Sequence, residues 1–153
     1  MSGGVRPLLV MAGLCVALGV PEAFAAKGTA PTPHAKVSSG CVLSDAGIQD
    51  QKGFETFFFG FKKAVKENDF NQISEYAFYP LRITSRFGIH TIASKAELMP
   101  LIRIAMNEKV KKAVESQSIS RLTCNDEGVS FGQGRVWVAQ RGKKIGVFAI
   151  ELN

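Results

Sequence analysis

The most regular hydrophobic pattern in the chain lies between residues 54 and 85. Asn68-Asp69 interrupts a first apolar helix face, and Asp69 is placed to cap a short second helix over residues 70–77. Pro80 ends that helix, because the residue before a proline disfavours helical geometry. The stretch therefore predicts a helix, a break, a short helix and a strand that begins near Leu81. The apolar positions of the first helix recur at spacings of three and four residues: Phe54, Phe57, Phe58, Phe61, Ala64 and Val65.

The pattern then changes to that of a hairpin followed by helices. Residues 81–86 alternate between apolar and polar, Phe87-Gly88 forms a turn, and residues 89–92 return as the second arm. Ser94 and Glu97 have the spacing of a capping box, which predicts that a new helix starts there. Asn107 divides this helix from a second helical piece. The apolar stripe of the first of these helices consists of Leu98, Leu101, Ile102 and Ala105.

The C-terminal third predicts strands only. Residues 118–124 form one strand, and residues 129–140 form a long strand that is bulged or bent at Gly132-Gln133-Gly134. Residues 145–152 are apolar on both faces, which is typical of a strand inside a covered sheet. The predicted order is two helices, a hairpin, a helical pair and a three-strand antiparallel meander. This order indicates an α+β fold.

The N-terminus predicts export. Arg6 precedes an apolar run over residues 8–20, and Ala23-Phe24-Ala25 has the small-x-small form of a signal-peptidase site. We expect residues 1–26 to be a cleaved signal peptide; the alternative is an uncleaved anchor. Residues 27–44 are rich in Ala, Pro, Thr, Ser and Gly and predict a flexible leader, and residues 45–153 suffice for one domain. The expected location is periplasmic or secreted, with no integral membrane segment after cleavage.

Export also changes the meaning of the cysteines. Cys15 leaves with the signal peptide, so Cys41 and Cys124 remain as an even pair in an oxidising compartment. We expect them to form a disulfide between the end of the leader and a late strand. The two histidines, His34 and His90, give no metal-ligand spacing, so neither a metal nor another cofactor is expected.

Several segments resemble the nuclear transport factor 2-like (SnoaL-like) family, in its exported bacterial form. Residues 54–69, Phe-Glu-Thr-Phe-Phe-Phe-Gly-Phe-Lys-Lys-Ala-Val-Lys-Glu-Asn-Asp, are similar to the opening helix of that family, and residues 73–82 to its second helix and first strand. Residues 94–98 resemble its next helix, and residues 132–137 its bent strand. The similarity covers residues 49–153. It implies a curved antiparallel sheet wrapped around the N-terminal helices, as a cone with an internal cavity.

That family includes isomerases, dehydratases and proteins that only bind, and many members dimerise through the sheet. We expect a non-catalytic protein that binds a small apolar or anionic ligand in the cone, or a protein partner on the sheet face. The alternatives are a cone-type isomerase or dehydratase, with His90, Glu75 or Tyr76 as acid or base, and an envelope immunity or inhibitor protein against a secreted toxin or hydrolase. The candidates for lining the cavity, which otherwise serve as core, are Phe58, Phe61, Tyr76, Tyr79, Arg82, Trp137 and Phe148.

Charge narrows the choice of partners. The net charge is +6, and it does not change on cleavage because Arg6 and Glu22 leave together. Lysines cluster at residues 62–66 and 109–112, which suits an acidic protein or an anionic surface. Nucleic acid is not expected, because the chain has neither a reading helix nor an aromatic strand of the RNA-recognition type.

Overall fold

The computed structural model describes residues 40–153 of the chain. The expected signal peptide and residues 27–39 of the expected leader lie outside the described residues. Residues 40–48 form a series of turns in which Cys41, Leu43, Ala46 and Ile48 are buried. The packed domain therefore already includes residues 41–44, which composition assigns to the leader. The reasons are a local hydrogen bond and a distant crosslink: Ile48 N–H donates to the Leu43 carbonyl, and Cys41 is bonded to Cys124.

The described chain folds as α+β, with helices packed on a six-stranded mixed sheet. The strand order is β2-β1-β6-β5-β4-β3. The elements in chain order are α1 (Gln51–Glu67), α2 (Phe70–Glu75), β1 (Ala77–Ser85), β2 (Gly88–Ile92), α3 (Lys95–Ala105), α4 (Glu108–Ser116), a 3-10 turn (Ile119–Arg121), β3 (Thr123–Asn125), β4 (Gly128–Phe131), β5 (Val136–Arg141) and β6 (Lys144–Glu151). No helix within residues 40–153 has the length and apolar character needed to cross a bilayer.

The helix boundaries follow the capping residues. Asp50 accepts a hydrogen bond from the Gly53 N–H at the start of α1, and Asn68 ends that helix in the left-handed conformation with φ 55°. Asp69 caps α2 as predicted, by accepting from the Gln72 N–H. Helix α2 ends two residues earlier than expected, because Ala77 already pairs with Val147 of β6.

The sheet corrects the prediction of a purely antiparallel arrangement. Strands β1 and β6 are parallel, with Ile83 opposite Ile150. Parallel neighbours need a long connection, and everything from β2 to β5 lies between these two strands. The prediction for the last strand is confirmed: β6 lies inside the sheet, between β1 and β5.

The C-terminal strands also differ from the expectation. Gly132-Gln133-Gly134 reverses the chain between two antiparallel strands, β4 and β5, and does not bend a single strand. All three residues have positive φ angles, 59°, 59° and 89°, which suits a tight reversal. The expected strand over residues 118–124 is interrupted by a 3-10 turn at Ile119–Arg121, where the Ser118 hydroxyl accepts from the Ser120 N–H; only Thr123–Asn125 pairs with β4. The predicted three-strand meander is therefore a four-strand one.

An aromatic core joins α1 to the sheet. Phe131 of β4 is fully buried, and its ring contacts those of Phe54 and Phe58 with centroid distances of 6.3 and 5.1 Å. Phe57 and Phe61 stack with their centroids 5.6 Å apart. The apolar face predicted for α1 is confirmed, since all six of its positions are buried. The disulfide prediction is also confirmed: Cys41 and Cys124 are bonded, with their Cα atoms 5.1 Å apart.

A candidate amphipathic groove

A groove of about 550 Å³ opens beside the β1–β2 hairpin. Its walls come from the hairpin, from α3, from the start of α4 and from the last two residues of the chain. A volume of this size is within the usual range for small-molecule sites. The lining residues are Ile83, Ser85, Arg86, Phe87, His90, Ile92, Leu101, Ile104, Ala105, Lys109, Leu152 and Asn153. We call this site the hairpin groove.

The hairpin wall is set by strand alternation and register. Ile83 is buried on the core-facing side of β1, and His90 lies directly opposite it on β2. Opposite residues in an antiparallel pair point to the same face of the sheet. His90 therefore points toward the core side, whereas its neighbour Ile89 points away. This register decides the orientation of His90, which the sequence pattern leaves open.

The helical wall comes from apolar residues that lie beside the buried stripe of α3. Leu98, Ile102 and Ala105 are buried as predicted. Leu101 was predicted to belong to that stripe, but it is 41 % exposed and lines the groove together with Ile104, which is 62 % exposed. The two are three residues apart and so lie on neighbouring turns of one side of the helix. This second apolar row has no protein partner among the described residues that covers it.

The polar part of the hairpin groove is cationic. Arg86, His90 and Lys109 contribute to the wall, and none of the described residues that line it has an acidic side chain. Glu108 precedes Lys109 but pairs with Lys111 at 2.6 Å, and the hydrogen bond and charge of Lys111 lower the pKa of Glu108. The nearest carboxylate in sequence is thus engaged by a different lysine. An apolar surface with this charge suits an amphipathic anion.

The residues predicted to line a cavity lie elsewhere, since none of the seven contributes to the hairpin groove. Phe58 and Phe61 are fully enclosed in the aromatic core. Tyr76 packs edge-on against Phe57 and Phe61. The Tyr79 hydroxyl donates to the Ser74 carbonyl at 3.2 Å, and burial followed by the charge of Glu75 raises the pKa of Tyr79.

The other three predicted lining residues are on strands. Arg82 is exposed, on the opposite face of β1 from buried Leu81. Trp137 is half-buried and pairs with Ala149, whereas its neighbours Val136 and Val138 face the core. Phe148 is half-buried on β6, next to Ala149. Arg82 and Trp137 thus lie on the sheet face that α1 does not cover.

The structure does not bring all three candidate acid–base residues into one site. His90 lines the hairpin groove, while Glu75 and Tyr76 line a separate shallow cleft with Lys143 and Lys144. Glu75 accepts a hydrogen bond from the Lys95 ammonium at 2.5 Å, and this bond and the charge of Lys95 lower the pKa of Glu75. A carboxylate held in its charged form by an exposed lysine serves as an ion pair rather than as a proton donor.

The sequence contained a signal for the groove that the pattern analysis did not use. Helix α3 carries more apolar residues than one buried stripe needs, since Ile104 adds to Leu98, Leu101, Ile102 and Ala105. The hairpin turn carries Phe87 where polar turn residues are usual. Excess apolar residues on a helix and on the neighbouring hairpin tip indicate an exposed hydrophobic surface that binds a ligand or a partner.

Comparison of the chain with protein-family models, with curated protein sequences and with solved structures found no significant match in any of the three. Within residues 40–153, no group of three or more His, Cys, Asp or Glu side chains is arranged to hold a metal ion. The class that the coordinates define is thus an α+β domain with a mixed six-stranded sheet, a disulfide and an amphipathic groove.

Proposed function

We propose that this chain is an exported, non-catalytic binding protein that holds an amphipathic anion in the hairpin groove. The ligand class is an aliphatic chain that ends in a carboxylate or a phosphate. The observation that carries the proposal is the composition of the groove wall: apolar residues from three elements, the basic side chains of Arg86, His90 and Lys109, and no acidic side chain among the described lining residues.

The apolar wall supplies a driving force for the aliphatic part. Leu101, Ile104 and Phe87 expose much of their side chains, and burying apolar surface contributes about 25 cal/mol per Å². A ligand that covers these residues removes both its own apolar surface and theirs from water. The groove therefore favours a chain several carbons long over a small polar molecule.

The cations select the head group. Arg86 and Lys109 can each donate hydrogen bonds to a carboxylate or phosphate, and charge-assisted hydrogen bonds are the stronger ones. The His90 imidazole adds a further hydrogen-bond donor. A ligand with a neutral head group and an aliphatic chain of equal length leaves these donors without an anionic partner. The expected ligand is therefore the anion.

Two further observations support an exported binding role. The Cys41–Cys124 disulfide suits an oxidising compartment outside the cytoplasm. The chain also resembles nuclear transport factor 2-like domains, a family that includes members that bind ligands without catalysis. In our proposal the sheet and helices form the curved cone of that family, with the hairpin groove at its mouth.

A titration with chain-matched probes tests the proposal. Dodecanoate and dodecyl phosphate, each below its micelle concentration, are expected to bind with one site per chain in isothermal calorimetry, and dodecanol to bind at least about tenfold more weakly. Ile104→Asp is expected to weaken dodecanoate binding by about tenfold or more, and Lys109→Gln by about tenfold.

Each groove variant has a matched control on the same protein. Phe59→Asp changes a side chain that is 59 % exposed on α1, outside the groove, and Lys112→Gln changes an exposed lysine on α4. Both controls are expected to leave dodecanoate binding unchanged. Equal binding of dodecanol and dodecanoate, or equal losses in groove and control variants, would contradict the proposal.

A second candidate rests on His90. Because this imidazole lines the hairpin groove, it could act as a general base on a bound substrate, in the manner of a cone-type isomerase. No carboxylate lies with it among the described lining residues. The two candidates separate on His90→Gln, since loss of turnover with retained dodecanoate binding would favour catalysis, whereas a change in affinity alone would favour binding.

A further inference from the structure

Exposed apolar side chains in this structure are concentrated at one place. Six large hydrophobic residues are exposed within the described chain, and four of them lie on the β1–β2 hairpin and on α3: Phe87, Ile89, Leu101 and Ile104. Phe87, Leu101 and Ile104 line the hairpin groove, and Ile89 lies beside Phe87 on the other face of β2. We call these four residues the groove rim. Together they form an exposed apolar surface that runs from the hairpin groove onto the other face of the hairpin.

The hairpin tip carries an aromatic ring that nothing in the described chain covers. Ser85 pairs with Gly88, so Arg86 and Phe87 form a two-residue turn at the end of the hairpin. Phe87 is 79 % exposed although the Arg86 guanidinium lies 4.6 Å from its ring centre. The same contact occurs between Arg141 and Phe78, at 4.7 Å, but there the ring is 8 % exposed and belongs to the packed domain. Contact with an arginine therefore does not decide whether the ring is exposed. Phe87 is exposed because it lies at the tip of the hairpin.

Positive charge accompanies the rim. Arg86 is at the tip, and Lys109 stands across the groove at the start of α4, both exposed. The two acids nearest the rim along the chain are engaged locally: Glu97 accepts from the Ala93 N–H at 2.8 Å, and Glu108 pairs with Lys111. The net charge of +6 adds a long-range attraction for anionic surfaces.

We infer that the groove rim docks on a bilayer that contains anionic phospholipid, with Phe87 and Ile89 entering the headgroup region and Arg86 and Lys109 contacting phosphates. Aromatic and aliphatic side chains at a hairpin tip, flanked by basic residues, combine the two forces that hold proteins at membrane surfaces. A protein partner with an uncharged surface would account for the apolar rim but would leave Arg86 and Lys109 without an anionic partner. The charge therefore favours lipid.

The inference identifies the bilayer as the source of the ligand in the proposed function. Only this part of the inference rests on the proposed function. An amphipathic anion in a bilayer has its head at the phosphate level and its chain below. A rim that sits at the same level places the groove entrance next to the ligand. The molecule could then move between bilayer and groove without crossing water with its chain exposed.

Co-sedimentation with vesicles tests the docking surface, and it uses the exported chain without residues 1–26, because the apolar run of residues 8–20 would itself enter a bilayer. The protein is expected to bind vesicles of phosphatidylglycerol mixed with phosphatidylcholine, to bind vesicles of phosphatidylcholine alone far less, and to lose binding as salt concentration rises. Ile89→Asp is expected to lower the partition coefficient about tenfold or more, because an aliphatic side chain is lost from the apolar phase. Arg86→Gln is expected to lower it several-fold.

Matched controls are Phe59→Asp and Arg141→Gln, which are expected to leave vesicle binding unchanged. A urea-unfolding midpoint equal to that of the unchanged chain verifies that each variant folds. Equal vesicle binding by Ile89→Asp and the unchanged chain would overturn the inference. So would a dimer in sedimentation velocity that Ile89→Asp dissociates while vesicles bind nothing, since the rim would then be an interface between copies.

The experiment also separates this inference from the proposed function. Ile89 does not line the hairpin groove, so Ile89→Asp is expected to leave dodecyl phosphate binding unchanged. Probe binding without vesicle binding would overturn the docking surface and leave the binding function standing. Vesicle binding without probe binding would support the docking surface and overturn the binding function.

Discussion

Two apolar regions of this domain have similar composition and opposite accessibility. In the aromatic core, Phe54, Phe58 and Phe131 are fully enclosed, with centroids between 5.1 and 6.4 Å apart. In the hairpin groove, Phe87 and Ile104 are among the most exposed large hydrophobic side chains of the described chain. The apolar residues of both regions are aromatic or branched aliphatic, so their apolar composition does not distinguish the two regions.

The difference lies in what each helix face meets. The apolar face of α1 meets the core face of the sheet, and its aromatic positions have Phe131 opposite them. Helix α3 has two apolar rows, and within residues 40–153 only the row of Leu98, Ile102 and Ala105 is buried. Leu101 and Ile104 in the second row are exposed. One region thus contributes stability, and the other offers unburied surface to a ligand.

The comparison predicts that replacing a phenylalanine by alanine has a large effect on stability in the aromatic core and a small effect in the hairpin groove. Phe131→Ala is expected to lower the free energy of unfolding by about 3–5 kcal/mol, because it opens a cavity between α1 and the sheet. Phe87→Ala is expected to change it by less than about 0.5 kcal/mol, as for most surface positions. Urea unfolding followed by circular dichroism measures both. Comparable losses in the two variants would mean that the groove is part of the structural core.

Removing the disulfide is the next largest expected change in the free energy of unfolding. The double substitution of Cys41 and Cys124 by serine removes a crosslink between residues 83 positions apart. In the chain-entropy model this costs roughly 4 kcal/mol, and native-state effects can reduce it. The same urea measurement, run with and without reductant on the unchanged chain, provides the control. A stability equal to that of the oxidised chain would show that buried Leu43 and Ile48 anchor the segment alone.

The smallest expected effect concerns an ion pair outside both regions. Lys95 lowers the pKa of Glu75, so the pair stabilises the fold above the ordinary carboxyl pKa of about 4.3, and this stabilisation is lost as pH falls through the folded pKa. Both side chains are largely exposed, so the change in stability is small. An NMR titration of the Glu75 carboxyl is the sensitive readout, and Lys95→Met is expected to return its pKa toward the ordinary value. An unchanged titration would assign the shift to another cause.

The elements that could be predicted from sequence are those whose pattern is complete within one segment. The spacing of Phe54, Phe57, Phe58 and Phe61 defines α1, and the two apolar faces of residues 145–152 place β6 inside a sheet. Cys41 and Cys124 are the two cysteines left by the expected cleavage, so their pairing needs no knowledge of distance. Each of these inferences depends on local physics or on simple counting.

The elements that could not be predicted depend on a partner far away in sequence. Ile89 and Ile92 are an odd number of residues apart, so alternation assigns no face to His90; only its pairing with Ile83 does so. Glycines around Gln133 suit a bend or a reversal equally, and the pairing of Val129 with Val138 decides for reversal. Leu101 fits the apolar stripe of α3 by its spacing, and only the packing of α3 shows that it is 41 % exposed. The groove depends on such tertiary contacts, which no single segment of the sequence shows.

The parallel pairing of β1 with β6 has a consequence for the order in which the domain can assemble. The two strands are separated by most of the domain, yet they are neighbours near the middle of the sheet. During synthesis β1 has its hairpin partner at once, but its other edge stays unpaired until Lys144–Glu151 emerges. Contacts of such long sequence separation slow folding, because loop closure must precede them. The nascent chain therefore cannot complete its six-stranded sheet before its last strand is made.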